Sequence, residues 1–202
     1  LVSNRFKKDF SGKKITVSAI KRTMLENEKT FYTISPSLFP KPADWPLSTS
    51  IVGYCERDTA MDWQPDEKLL LFIRKHEKII FITFGSMSNP SPKEKTRSII
   101  EVLKRNNIPA IINTSWGGLE KPDVFPDTIF FTGDLPYSWI FPKIYGVIHH
   151  GGCGTTHTAL KYACPSLVIP HVLDQFLWDK TIANLQLGPK GISIRNFNEK
   201  EF

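Results

Sequence analysis

The densest chemistry in the chain is the run His149-His150-Gly151-Gly152-Cys153-Gly154-Thr155-Thr156, which follows an apolar segment and opens a helical one. Glycines at a strand-to-helix turn let backbone approach a ligand closely and leave amide N–H groups available. The helix start adds a positive end of about half a charge. Thr155 brings a hydroxyl, and His150 a ring N–H or, when protonated, a full charge. Together these groups suit a diphosphate and need no metal. Other anion loops fit worse. The Walker pattern needs Gly-Lys-Ser/Thr, and the dinucleotide fingerprint needs a third glycine where His157 stands. A tight turn around a satisfied core histidine asks for fewer glycines than this segment contains. A zinc site is disfavoured, because neighbours on a strand point to opposite faces and His149 and His150 should not share a metal.

Three further features are weaker taken singly. Asp174-Gln175 places a carboxylate beside an amide, able to accept from and donate to sugar hydroxyls; alone it reads as a helix N-cap with an exposed glutamine. Its position one βα unit beyond the glycine loop favours the ligand role. Gly85-Ser86 follows a buried-strand pattern and is either an ordinary turn or a second wall of the same site. Trp116 is either an aromatic wall facing the ligand or a core residue.

These residues must be held by a regular α/β alternation that begins near residue 66. A helix is expected over 66–74. The unbroken β-branched and aromatic run 78–84 predicts a strand buried on both faces. Ser91 reads as an N-cap, with Pro92 at the first helical position and Glu94 closing a capping box, and Ile99, Ile100, Val102 and Leu103 form the apolar face of that helix. Strands are expected over 110–114, 128–132, 145–149 and 166–170, with helices over 155–163 and 174–184. Such alternation means a parallel sheet covered on both faces, with ligands bound beyond the carboxyl ends of the strands. Before residue 66, four prolines between residues 36 and 46 predict an extended connector, with a short strand over 51–55. Residues 1–30 are polar, basic and weakly patterned.

The chain has 202 residues and a net charge of +6, with basic residues scattered apart from a cluster over residues 5–22, as on a solvated surface. Three widely spaced cysteines, Cys55, Cys153 and Cys164, argue against a disulfide framework and for a reducing compartment. No apolar run is long enough for a membrane span. The chain opens on Leu1 and closes in polar sequence at Phe202, and is expected to be a fragment.

From about Ser35 onward these motifs, in this order, resemble the C-terminal donor domain of two-domain UDP-sugar glycosyltransferases of Rossmann-like, GT-B type. The similarity is greatest to the sterol glucosyltransferase branch, which neighbours the glycosyltransferases of glycopeptide and macrolide antibiotics. It is carried by Pro42-Ala43-Asp44-Trp45-Pro46, Val52-Gly53-Tyr54, Phe84-Gly85-Ser86-Met87, Trp139-Ile140-Phe141-Pro142-Lys143, the His149–Thr156 loop, Pro170-His171-Val172-Leu173-Asp174-Gln175-Phe176-Leu177-Trp178 and Gly188-Pro189. The resemblance implies that His150 contacts the diphosphate, that Gly152, Gly154 and Thr155 cradle it, and that Gly85 and Ser86 close over it. It implies that Asp174 and Gln175 bind the sugar and that Asp134-Leu135-Pro136 lines the nucleobase through backbone groups. The plant-type relatives carry Trp and Asn where Cys153 and Gly154 stand, and Asn at Trp178, which leaves donor preference open.

On the same resemblance, residues 1–30 are the remnant of an N-terminal acceptor domain, 31–65 the interdomain connector, and 66–202 the donor-binding domain, cut short at its C-terminus. The implied activity is inverting, metal-independent transfer of a hexose from a UDP-sugar to a hydroxyl of a sterol, lipid or other apolar aglycone. No catalytic residue lies in these residues, because the family's base is a histidine of the N-terminal domain. No cofactor is implied beyond the UDP-sugar substrate. A cytoplasmic setting is expected, with peripheral membrane contact left open. A sugar-nucleotide-binding or epimerase-type domain is the alternative; Asp174 and Gln175 speak against it. A nucleic-acid-binding domain would need basic and aromatic residues interleaved, and no such pattern occurs.

Overall fold

The computed structural model describes residues 29–56, 63–114 and 117–199. The chain divides into two compact units between Cys55 and Glu56. In the first, β1 (Thr30–Tyr32) pairs in parallel with β2 (Thr49–Ile51). Trp45 packs on Tyr32 and Phe39 at centroid distances of 4.7 and 5.8 Å, and Lys41 Nζ donates to the carbonyls of Pro46 and Thr49 at 3.0 and 2.6 Å. The proline-rich stretch is therefore the connection between two short strands. The expected strand over 51–55 lies earlier, ending at Ile51.

The second unit is the expected α/β alternation. Helix α1 (Glu67–Lys75) starts at Asp66, whose Oδ1 accepts from Lys68 N at 2.9 Å. Strand β3 (Ile80–Thr83) leads to helix α2 (Pro92–Arg105), then strands β4 (Ala110–Asn113) and β5 (Ile129–Thr132). A one-turn helix α3 (Tyr137–Ile140) and a 3-10 turn Phe141–Lys143 precede strand β6 (Gly146–His149). Helix α4 (Cys153–Lys161), strand β7 (Ser166–Val168), helix α5 (Gln175–Asn184) and a 3-10 turn Ile194–Asn196 complete the described chain.

One expectation fails. Ser91 makes no side-chain cap bond and sits at φ 56°, ψ 55°, so the capping box does not form. A capping residue needs extended backbone to aim its oxygen at the first amides. The chain enters α2 through a left-handed turn instead, while Pro92 takes the first helical position as anticipated.

The sheet has five parallel strands in the order β5-β4-β3-β6-β7. Strand alternation divides the core between its faces. Phe81, Ile111 and Val147 point to one side, against Leu69 and Phe72 of α1, Ile140 of α3 and Ala159 of α4. Ile82, Ile112 and Ile148 point to the other, against Ile99, Ile100 and Leu103 of α2. Each such fully buried side chain contributes on the order of 1.5–3 kcal/mol. This double burial explains why the strands read as unbroken apolar runs rather than alternating ones. From β3 the chain winds outward to β4 and β5, then returns past β3 to lay down β6. The reversal opens a crevice between the carboxyl ends of β3 and β6, the place where open α/β sheets bind ligands.

Candidate functional site

The final pair of the β3–β6 register is Thr83 opposite His149, so the loops that continue from them leave the sheet side by side. Gly85 turns at φ 54°, and a Cβ there would lie 2.7 Å from Cε1 of His150. A Cβ on Gly152 would overlap Nε2 of the same ring. The His150 imidazole is thus packed against two positions that leave no room for a side chain. Gly151, at φ 85°, has the same need for another reason: a Cβ would lie 2.6 Å from Val168 Cγ1 and 3.0 Å from the Gln175 carbonyl. The loops after β3, β6 and β7 therefore meet at one end of the sheet.

The two histidines separate as strand neighbours should. His149 is fully buried, and its Nδ1 accepts from Gly151 N at 3.1 Å, so it braces the glycine turn from beneath. His150 is also buried, with Nδ1 lacking a partner. Burial first, and then the nearby His171, push the His150 pKa down to about 4, with Asp174 acting against both. Burial, then His150, lowers His149 to about 3. Both rings are neutral near pH 7, so His150 offers a neutral N–H and not a charge.

The Asp174-Gln175 pair is not a cap with an exposed glutamine. Asp174 lies in helical backbone with no capping bond. Its carboxylate is exposed, and Oδ2 accepts from Trp178 Nε1 at 3.1 Å. Gln175 is buried, its Oε1 accepting from His171 N at 2.8 Å and Val172 N at 3.1 Å. Its Nε2 donates to Met87 Sδ at 3.3 Å, joining this helix to the loop after β3. With the oxygen end fixed, Gln175 presents only its donor end toward that loop. Thr155 is buried in the first turn of α4, Gly154 lies beside it, and Ser86 is exposed directly after Gly85. The Leu135 side chain is buried in the core with Ile140 and Phe141. What it offers a ligand is its backbone. Trp116 lies outside the described residues.

Several contributors escaped the sequence reading. His171 is buried, with Nδ1 2.8 Å from the Ile169 carbonyl, and its ring stands edge-on to His150 at 6.5 Å. Trp178 anchors Asp174 and packs edge-on against His157 at 5.1 Å, which gives a core role to the histidine that breaks the dinucleotide fingerprint. Met87 holds the amide of Gln175. The signal for His171 and Trp178 was their place in the segment 170–178, and for Met87 its place in the segment 84–87; its role toward Gln175 shows only in a contact across 88 residues of chain. Among the described residues, no three His, Cys, Asp or Glu side chains converge on a point that would hold a metal ion.

Residues 108–198 match the family model described as the C-terminal domain of erythromycin biosynthesis protein CIII-like proteins. Two sterol 3-beta-glucosyltransferases of Arabidopsis thaliana are 39% and 36% identical over 82% and 83% of the chain. The chain spans only 27% and 26% of their lengths. A sterol 3-beta-glucosyltransferase of Yarrowia lipolytica is 31% identical over 89% of the chain, which covers 13% of that protein. Among solved structures, the glycotransferase of kitacinnamycin superposes with a TM-score of 0.69 at 17% identity, covering 86% of this chain and 44% of that one. Phytolacca americana UGT2, solved with UDP-2fluoro-glucose and pterostilbene, gives 0.68 at 17% identity over 92% of this chain and 44% of its own. At those identities the structural likeness speaks for the fold alone.

Proposed function

The chain is a C-terminal domain of the glycosyltransferase family, with its curated similarity on the sterol 3-beta-glucosyltransferase side, and from that premise we propose that it is the half that holds a UDP-sugar donor. The observation that carries this reading is the His150 ring packed closely against both Gly85 and Gly152 at the β3–β6 crevice. In it, His150, the amides at Gly152 and Gly154, and the Thr155 hydroxyl receive the diphosphate. Gly85 and Ser86 cover it, and backbone at Leu135 borders the nucleobase. Asp174 accepts from one sugar hydroxyl while Gln175 donates to its neighbour.

The reaction is in-line displacement. An acceptor hydroxyl oxygen bonds to the anomeric carbon as the bond from that carbon to the diphosphate oxygen breaks, inverting the centre. UDP leaves with the electron pair, stabilised by donors already aimed at it. The hydroxyl proton passes to a base that these residues do not supply, since His150 is occupied by phosphate and Asp174 by sugar. Donor binding proceeds without a divalent metal. The acceptor is a sterol or another apolar hydroxyl compound, bound by sequence outside this chain. The setting is cytoplasmic, in keeping with three unpaired cysteines, and contact with a membrane surface would suit an apolar acceptor. Among the described residues no helix is long and apolar enough to cross a membrane.

Asp174→Asn tests the assignment of the sugar end. Calorimetric titration should show UDP-glucose binding weakened by about 1–2 kcal/mol with UDP unaffected. Equal losses for both ligands would remove Asp174 from the sugar site.

A further inference from the structure

Beneath the loops of the site lies a cluster of three hydroxyls on three different elements. Tyr137 opens α3, immediately after Asp134-Leu135-Pro136. Its ring belongs to the core, stacked on Phe141 at 5.1 Å and edge-on to Phe81 at 5.8 Å. Its hydroxyl lies at the carboxyl end of β3, 2.8 Å from Thr83 Oγ1. Thr83 Oγ1 in turn accepts from Gly85 N at 3.2 Å. The Thr155 hydroxyl, from the first turn of α4, interacts with the same phenol oxygen. Burial raises the Tyr137 pKa above its ordinary value, so the phenol stays neutral and keeps its proton for this cluster.

We propose that Tyr137 is a positioning residue of the diphosphate cradle, holding the Gly85 turn through Thr83 and the start of α4 through Thr155 in one fixed relation. The proposal rests on reading the crevice as a UDP site. A half-buried tyrosine packed against the core needs only one partner for its hydroxyl, and phenylalanine would fill the same place equally well. Here the hydroxyl reaches elements on both sides of the crevice. One of its partners fixes the amide of the turn whose glycine faces His150. Binding of a diphosphate depends on donors from both loops being in register before it arrives, because ordering them on binding costs affinity. In the proposed binding mode uridine lacks the groups that meet these two loops, so it reports on the nucleobase side without the cradle.

The test compares UDP and uridine by ligand-observed NMR titration against the wild-type chain, Tyr137→Phe, Thr83→Val and Thr83→Ser. Tyr137→Phe and Thr83→Val should each weaken UDP about three- to tenfold and leave uridine unchanged. Their combination should lose no more than either alone, as expected for groups acting as one unit. Thr83→Ser, which keeps the hydroxyl, should bind UDP like the wild type, and this split between serine and valine stands even if Tyr137→Phe folds poorly. Unchanged UDP affinity in Tyr137→Phe, with the wild type binding, overturns the positioning role alone. So does equal weakening of UDP and uridine, the mark of a merely structural residue. Failure of the wild type to bind UDP overturns the site reading and this proposal with it.

Discussion

His149 and His150 are neighbours in sequence with different surroundings, and their substitutions should separate accordingly. His149→Ala takes the acceptor from the Gly151 amide and empties a fully buried volume. That combination should cost about 2–4 kcal/mol in chemical denaturation. A loss below about 1 kcal/mol would mean that the turn does not depend on that ring. The pH dependence of stability follows from the same burial. The folded chain keeps His150 and His149 at pKa values of about 4 and about 3, against 6.5 for an ordinary histidine, and burial lowers His171 as well. Between those values the unfolded chain binds more protons. Stability is therefore full above pH 6.5 or so and is lost as pH falls toward the folded values, by up to about 1.4 kcal/mol per pH unit for each histidine. Urea unfolding near pH 7 and near pH 5 measures it. A flat profile would show that these rings take up protons while folded. Adjacency on a strand predicted that the two rings would face opposite ways; the family resemblance assigned His150 to the ligand side. That both rings are neutral was not legible, because it depends on burial and on His171, which arrives from a different loop.

At the scale of elements, the glycine loop shows how backbone dictates residue type. Gly151 combines a left-handed φ of 85° with no room for a Cβ, which would run into Val168 Cγ1 and the Gln175 carbonyl. Gly151→Ala should therefore destabilise the domain by about 1–3 kcal/mol, read by denaturant midpoint. A midpoint equal to wild type would contradict the strain argued here. The central strands were plain in the sequence because each is buried on both faces and reads as a β-branched or aromatic run. Helix α3 was not. Its four residues, Tyr137–Ile140, are too few for a helical period to show, and prolines stand on either side at 136 and 142. The β1–β2 pair was hidden too, since three-residue strands separated by a proline-rich loop carry little alternation. Ser91 misled because a capping box is written in residue types, whereas a cap works only in extended backbone.

At the scale of the whole molecule, the five-stranded parallel sheet reverses its winding between β3 and β6, and the crevice there is where we propose that the nucleotide diphosphate binds. Three strand-end loops converge there, since a Cβ at Gly85 would meet the His150 ring and one at Gly151 would meet Gln175. The parallel sheet was implicit in the strand and helix alternation; its strand order was not. The stitching of those loops by Met87, Tyr137 and Trp178 depends on long-range contacts that no local pattern encodes. The central claim, that this crevice binds the diphosphate of UDP through His150 without a metal, is tested most directly by calorimetric titration of UDP in the presence of excess chelator, with wild type beside His150→Ala. The wild type should bind saturably at a single site, unaffected by the chelator. His150→Ala should lose about 1.5–3 kcal/mol of that affinity. Binding abolished by the chelator, or equal affinity in wild type and His150→Ala, would contradict the account.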